Sequence, residues 1–190
     1  MTLFAALILS LAAAPTISAQ RKTAKSKTPR TVTDFYMLLP AKYFPFVDRV
    51  KKRRDLIESE NIKLGYLNFA GNRPFMPLEN EMLLLRRMSG AAMLVIAYTD
   101  CSDDCQAVLR FVEYENGRWT EADAAPKFDV AQMRAIYRRK TGRDAVENPK
   151  IYYSLSPIDK SLTVNFAGQT SVEIYKLEWD GNVYDFAAPI

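Results

Sequence analysis

The stretches "EMLLLRRM" (residues 81–88) and "AAMLVIAYT" (residues 91–99) decide the fold class of this chain. Both are near-continuous apolar runs, whereas a strand with one face in water alternates apolar and polar residues. Such runs are typical of strands that are buried on both faces. The sequence therefore predicts a sheet whose central strands are covered on both sides.

Hairpin signals follow these two runs along the chain. In "QAVLRFVEYENGRWTE" (residues 106–121), Asn116-Gly117 separates two apolar segments, and a two-residue type I′ turn needs positive φ at both positions. The segment "KIYYSLSPIDKSLTVNF" (residues 150–166) alternates around a proline-containing turn. The segment "SVEIYKLEWDGNVYDF" (residues 171–186) predicts a last hairpin that turns at residues 180–182.

A mid-chain helix is predicted over "FDVAQMRAIYRRKTG", residues 128–142. Asp129 suits the N-cap, Gln132 occupies the third helical position, and Gly142 lies just past the end. Three basic residues fall in the last turn, where they complement the helix dipole. The apolar face consists of Val130, Met133, Ile136 and Tyr137.

The sequence before the central strands predicts a second helix and a further strand. "FPFVDRVKKRRDLIESEN" (residues 44–61) predicts an amphipathic helix with Phe46, Val47, Val50 and Ile57 on its apolar side and Lys51, Lys52, Arg53 and Arg54 mostly outward. Before it, Thr33 or Asp34 caps a short helical turn that ends before Pro40. After it, "IKLGYLNF" (residues 62–69) predicts a strand with Ile62, Leu64 and Tyr66 on one face.

Antiparallel hairpins with helices set apart from them indicate an α+β fold. We expect a single domain over residues 33–190, in which a twisted antiparallel sheet of several hairpins is packed by two short helices. Residues 20–32 have no apolar periodicity and predict a basic flexible linker.

The first nineteen residues predict a secretory signal peptide. Residues 3–14 form an apolar run that is short for a membrane span, and Ala19 provides a small residue at a cleavage site. The segment before this run holds no Lys or Arg while residues 21–30 are basic, which opposes translocation and leaves a retained anchor or a cytosolic protein as alternatives. We expect a secreted or periplasmic protein with no further membrane span.

Composition excludes several chemistries. The chain has no histidine, so Ser-His-Asp and Cys-His catalysis and histidine metal sites are excluded. The nucleotide-binding and nucleophile-elbow glycine motifs are also missing from the sequence. We therefore expect no cofactor.

The string "TDCSDDCQ" (residues 99–106) holds both cysteines. A disulfide between Cys101 and Cys105 needs Cα atoms about 4.4–6.8 Å apart, so residues 102–104 must turn back, and their types favour a turn. An exported location would let this bond persist. The alternatives are a redox pair and a calcium loop with Asp100, Asp103 and Asp104 as weak ligand candidates, but the spacing fits neither standard motif. We expect no metal.

Two sets of residues are candidates for function. The carboxylate pairs Glu79/Glu81 and Glu113/Glu115 would serve a carboxylate- or cation-dependent hydrolase if they converged in a cleft. The aromatic residues Tyr152, Tyr175 and Trp179 would serve as a sugar- or peptide-binding surface, although such residues more often form cross-strand core pairs. Tyr152 alternates out of phase with Tyr153 and is the better surface candidate.

Charge is distributed unevenly along the chain, which has a net charge of +4. Residues 21–54 carry eleven Lys or Arg against two Asp. Aromatic residues are not interleaved with these charges, so we expect no nucleic-acid binding. Anionic lipid or an envelope polymer is the more plausible partner of the basic region.

Four strings resemble small exported bacterial proteins of unknown function, which share an LLPxxYF opening and hairpins ending in aromatic-plus-NG turns. They are "DFYMLLPAKYFPF" (34–46), "IKLGYLNFAG" (62–71), "RFVEYENGRWTE" (110–121) and "IYKLEWDGNVYDF" (174–186). The resemblance implies export and an antiparallel sheet, and no reaction. Together these observations favour a non-enzymatic binding or structural module of the envelope. The alternatives are the hydrolase and an adaptor that docks on anionic lipid through its basic N-terminal region.

Overall fold

The computed structural model describes residues 28–44, 53–69, 80–101 and 104–187. The predicted signal peptide and most of the predicted linker lie outside these residues. The described chain forms two antiparallel sheets and two α-helices, which confirms the α+β prediction.

The larger sheet has six strands that follow one another in chain order. The strands are β1 (Ile57–Asn61), β2 (Tyr66–Phe69), β3 (Asn80–Arg86), β4 (Ala92–Asp100), β5 (Gln106–Glu115) and β6 (Arg118–Glu121). The strands β3 and β4 correspond to the two apolar runs, and every residue of β4 except its last is buried. Asn116 and Gly117 both have positive φ, at 50° and 79°, which confirms the predicted hairpin turn between β5 and β6.

The smaller sheet has four strands in the order β10-β9-β8-β7. They are β7 (Ile151–Leu155), β8 (Leu162–Phe166), β9 (Tyr175–Trp179) and β10 (Tyr184–Phe186), and they include both predicted C-terminal hairpins. The helices are α1 (Val32–Leu38) and α2 (Val130–Thr141).

Successive residues of β4 point into two different cores. Met93, Val95 and Ala97 lie in a core shared with the four-stranded sheet and α2. Leu94, Ile96 and Tyr98 lie in a second core, which α1 and the segment after it cover. Two covering layers explain why this strand carries no polar alternation, because neither of its faces meets water.

The helix α2 forms as its sequence predicts. The Asp129 carboxylate accepts the backbone amide of Ala131 at 2.9 Å, and Gly142 ends the helix in the left-handed conformation. Met133 and Tyr137 are buried, and the ring of Tyr137 packs on Phe166 of β8. Of the predicted apolar face only Val130 is exposed.

The N-cap of α1 differs from the predicted one. Thr31, and not Thr33 or Asp34, caps the helix, because its hydroxyl accepts the amide of Asp34 while the Asp34 carboxylate accepts the amide of Thr31. This reciprocal capping box places Asp34 at the third helical position. Val32 and Phe35 then face the core below the helix.

The predicted helix over residues 44–61 is wrong in its C-terminal part. Residues 54–56 form a 3₁₀ turn and residues 57–61 form β1, while residues 45–52 lie outside the described residues. The strand β1 is an edge strand with little buried surface, so it carries no alternating apolar pattern that would identify it.

The predicted strand over residues 62–69 begins later than expected. Residues 62–65 form the turn between β1 and β2, and Ile62 is 55% exposed. Gly65 closes this turn with φ +70°, and its carbonyl accepts the amide of Leu84 at 2.7 Å. A Cβ atom at position 65 would lie 3.1 Å from the Leu84 carbonyl oxygen, so both backbone conformation and space favour glycine there.

Arg53 was predicted to point outward, and instead it is buried, with 7% of its surface exposed. Its guanidinium donates hydrogen bonds to the carbonyls of Tyr36, Met37 and Leu39 at 2.8–2.9 Å. These carbonyls lie at the C-terminal end of α1, where helical partners are missing and positive charge is favoured. Arg53 therefore caps α1 from a distant part of the chain.

Candidate functional site

The cysteine loop connects β4 to β5. Cys101 and Cys105 are joined by a disulfide, with Cα atoms 4.0 Å apart, which is closer than the expected range of about 4.4–6.8 Å. The Asp104 carboxylate forms an ion pair with Lys150, just before β7, so the loop also contacts the second sheet. Within the described residues no group of three or more acidic or cysteine side chains could hold a metal ion. Asp103 lies outside those residues, so a calcium loop with Asp100 and Asp104 stays an untested alternative.

Of the candidate carboxylates that the structure describes, Glu81 lies on β3 and Glu113 and Glu115 lie on β5. Glu81 is buried on β3 and contacts the second sheet, and Glu79 lies outside the described residues. Glu113 forms an ion pair with Arg87 at 2.6 Å, and Glu115 is exposed at the end of β5. Glu81 pairs across from Ala97 and Glu113 from Met93. Ala97 and Met93 are four residues apart on β4, which corresponds to about 13 Å along the strand. Glu81 and Glu113 are therefore separated by at least this distance along the sheet.

The candidate aromatic residues occupy two faces of the four-stranded sheet. Tyr175 and Trp179 pack against the core between the sheets, and the Tyr175 ring stacks on Phe128 with centroids 5.9 Å apart. Tyr152 lies on the opposite face, because its neighbour Tyr153 belongs to the core side. The space that Tyr152 and Tyr153 enclose with Tyr98 leaves no room for a water molecule. A ligand surface on these aromatics stays a prediction.

A different set of residues surrounds a cleft of about 320 Å³ that is lined by strands of both sheets. Three elements form its walls: Leu109 to Phe111 of β5, the connection from Glu121 to Phe128, and Ile151 with Tyr153 of β7. We call this space the edge cleft. Its volume is in the range of small-ligand pockets, which are about 300–1,000 Å³.

The edge cleft exists because β6 is much shorter than β5. The ten-residue β5 pairs with β4 along nearly its whole length, whereas the four-residue β6 covers only residues 112–115 of it. The Ala122 amide makes the last bond to the Phe111 carbonyl at 2.9 Å. The chain then crosses to the second sheet, where the Ala124 carbonyl accepts the Tyr184 amide at 2.7 Å. Within the described ranges, residues 106–110 of β5 have a strand neighbour on one side only.

Aromatic side chains line the inner wall of the edge cleft. The ring centroid of Phe128 lies 6.1 Å from that of Tyr153. Burial raises the pKa of the Tyr153 hydroxyl, and a protonated tyrosine hydroxyl can both donate and accept a hydrogen bond. The inner wall thus combines apolar surface with a polar group, as ligand pockets commonly do.

The outer rim of the edge cleft is charged. Arg110 forms an ion pair with Glu121 at 3.0 Å and donates from Nε to the Tyr98 hydroxyl at 3.3 Å. These contacts raise the pKa of Arg110, with the Tyr98 hydrogen bond contributing most. Asp123 and Lys127 complete the rim, so two positive side chains face two negative ones.

A second opening of about 300 Å³ lies near Thr28 and Pro29 at the start of the described chain. Its walls include Phe35 of α1 and Arg86 of β3, whose guanidinium lies 5.3 Å from the Phe35 ring centroid. Among the sequence candidates that the structure describes, Glu115 lines it.

Comparison with known proteins gives the fold and no activity. The chain is similar to a domain of an uncharacterized protein from Porphyromonas gingivalis W83, with 10% sequence identity and a TM-score of 0.50. The match covers 85% of this chain and 100% of that chain. No protein-family model and no curated protein matches the sequence. None of the helices in the described ranges has the length and apolarity needed to cross a bilayer.

Proposed function

We propose that this chain is an exported bacterial envelope protein that acts as a non-enzymatic binding module, with the edge cleft as its ligand site. The observation that supports this most is the edge cleft itself. It combines an aromatic wall at Phe128 and Tyr153 with a charge-balanced rim and strand-edge backbone. Pockets of this kind bind ligands through apolar contact and a few placed polar groups.

Export is supported by three independent features. The apolar segment before residue 20 has the length of a signal peptide, and the chain resembles small exported bacterial proteins. A disulfide between Cys101 and Cys105 is typical of an oxidising compartment. Fractionation followed by mass spectrometry tests this: we expect a chain beginning at Gln20 in the osmotic-shock fraction. Recovery of the full-length chain from spheroplasts would contradict export.

Ligand binding in the edge cleft is tested with a small planar probe. Amide chemical shifts of the ¹⁵N-labelled protein are followed while indole is added. We expect saturable shifts at Leu109, Lys127 and Ile151, because these residues line the edge cleft. The filling variant Ala125→Trp should abolish the shifts, whereas the control Ile158→Ala, at a residue that is 84% exposed, should leave them unchanged. The proposal would be contradicted if indole changed no amide chemical shift, or changed only those of another surface.

A further inference from the structure

Resting on the proposed function, we propose that the ligand of the edge cleft is an extended segment of a partner polypeptide. This segment adds as a strand to the open edge of β5, along residues 106–110. Addition of a strand to a sheet edge is an established mode of peptide recognition, in which main-chain hydrogen bonds give affinity and alternate side chains give specificity.

The backbone of β5 presents the groups that such a strand needs. The Phe111 carbonyl bonds to Ala122, so odd-numbered residues of β5 direct their backbone groups away from β4. The same alternation directs the amides and carbonyls of Ala107 and Leu109 away from β4, toward the open edge, and Leu109 lines the edge cleft. Successive outward pairs repeat about every 6.7 Å along a strand. Another extended polypeptide presents donors and acceptors at this repeat, whereas a sugar or a lipid does not.

The open edge lacks the devices that normally prevent strand addition. Exposed edges usually carry lysine, proline, a bulge or inward charges. The other edge of the same sheet, β1, is protected by charge and by a bulge: Glu58 and Glu60 are exposed, and its pairing with β2 shifts between Ile57 and Ser59. In contrast, residues 106–109 of the open edge ("QAVL") hold no charge and no proline and pair with β4 without a shift, and the one charged residue of the edge, Arg110, is paired with Glu121.

The surroundings of the edge indicate which side chains the partner carries. Ala97 and Leu109 pair across the sheet, so the odd side of β5 faces the core and the aromatic wall. Side chains of the incoming strand on that side would contact Phe128 and Tyr153, which favours apolar residues at alternate positions. The rim carries balanced charge, so a segment without strong net charge fits best.

The experiment uses a phage-displayed library of random dodecapeptides, followed by calorimetry with a selected synthetic peptide. We expect selected sequences to alternate apolar and polar residues. N-methylation of successive peptide bonds should alternate in effect, lowering affinity about tenfold where an amide faces β5 and about twofold or less where it faces solvent. This series needs no protein variant, so it is independent of folding.

A protein variant tests the same edge from the other side. Ala107→Pro removes an outward amide without removing a β4–β5 hydrogen bond, and it should weaken the peptide about tenfold. The control Ile158→Ala should bind as the wild type does, and circular dichroism confirms that both variants are folded.

The outcomes separate this inference from the proposed function. In one outcome, Ala125→Trp blocks peptide binding, but N-methylation of successive peptide bonds does not alternate in its effect on affinity. This result would overturn strand addition and leave the edge cleft as the ligand site. Failure to select any peptide while indole still occupies the edge cleft would do the same. Sedimentation analysis could instead show a dimer that dissociates in the Ala107→Pro variant. This result would show that a second copy of this chain occupies the edge, and it would overturn the proposal of a separate partner.

Discussion

The carboxylate of Glu81 on β3 accepts the backbone amide of Leu155 on β7 at 2.7 Å, and this contact joins the two sheets. Its other oxygen accepts the Tyr66 hydroxyl at 2.5 Å. Glu81 is 3% exposed, so both donors face a carboxylate that water scarcely reaches. Glu81, one of the four candidate carboxylates, thus holds the two sheets together.

Replacement of Glu81 should therefore destabilise the fold. Glu81→Ala removes the acceptor of the buried Leu155 amide and of the Tyr66 hydroxyl, and we expect it to lower the free energy of unfolding by about 2–4 kcal/mol. The matched control is Glu178→Ala on β9, whose side chain is exposed and whose loss should change stability by about 0.5 kcal/mol or less. Urea unfolding followed by tryptophan fluorescence measures both, and equal losses would contradict the structural role.

The two arginines at positions 53 and 54 provide a second matched pair. Arg53→Met removes the donors to the carbonyls of Tyr36, Met37 and Leu39, and should lower the free energy of unfolding by about 2–4 kcal/mol. Arg54→Met removes an exposed guanidinium from the adjacent position, with an expected change of about 0.5 kcal/mol or less. Thermal unfolding of both variants tests this, and a comparable loss for Arg54→Met would argue against a specific cap.

Features fixed by local chemistry could be predicted from the sequence. Continuous apolar runs identified the two central strands, since burial on both faces removes polar alternation. The Asn116-Gly117 turn and the ends of α2 followed from residues that favour positive φ or accept the first helical amides. In each case the deciding interaction lies within a few residues of the signal.

Features that depend on distant contacts could not be predicted in the same way. The carbonyls that bind Arg53 lie 14 to 17 residues before it, and no local signal indicates this contact. From the sequence alone, the basic run at residues 51–54 is therefore interpreted as the exposed face of a helix. The strand β1 buries little of its surface, and its charged side chains are exposed to water. Its sequence therefore lacks the alternation of apolar and polar residues that identifies a strand.

The edge cleft was also missed, because its walls come from Leu109, Phe128 and Tyr153. The one local signal was the mismatch in length between the two segments that flank the Asn116-Gly117 turn. A long apolar strand followed by a short one leaves part of the longer strand unpaired, and Pro126 after the short one fits a chain that leaves the sheet.

Reduction of the disulfide should lower stability by a modest amount. The Cys101–Cys105 bond closes a loop of a few residues, for which chain entropy predicts about 2 kcal/mol. Urea unfolding with and without dithiothreitol measures the difference. In the double variant Cys101→Ser/Cys105→Ser the reductant should have no further effect. Two freely reactive thiols in the native protein purified from the envelope would contradict the bond.

Stability should also fall at alkaline pH because of Tyr36. Burial of its side chain raises the pKa of Tyr36 from 10.0 to about 12, although the charge of Arg53 opposes this shift. Below pH 10 the hydroxyl is protonated in both the folded and the unfolded chain, so Tyr36 adds no pH dependence there. Above pH 10 the unfolded chain ionises first, so the unfolded state gains stability and the fold loses about 1–3 kcal/mol between pH 10 and 12.

The variant Tyr36→Phe isolates this contribution. Its lost hydrogen bond to the Arg53 carbonyl should lower the free energy of unfolding by about 1 kcal/mol at every pH below 10. Because phenylalanine does not titrate, the decline between pH 10 and 12 should be shallower than in the wild type, so the two stability curves should converge. Curves that stay parallel up to pH 12 would show that Tyr36 ionises alike in the folded and unfolded chain.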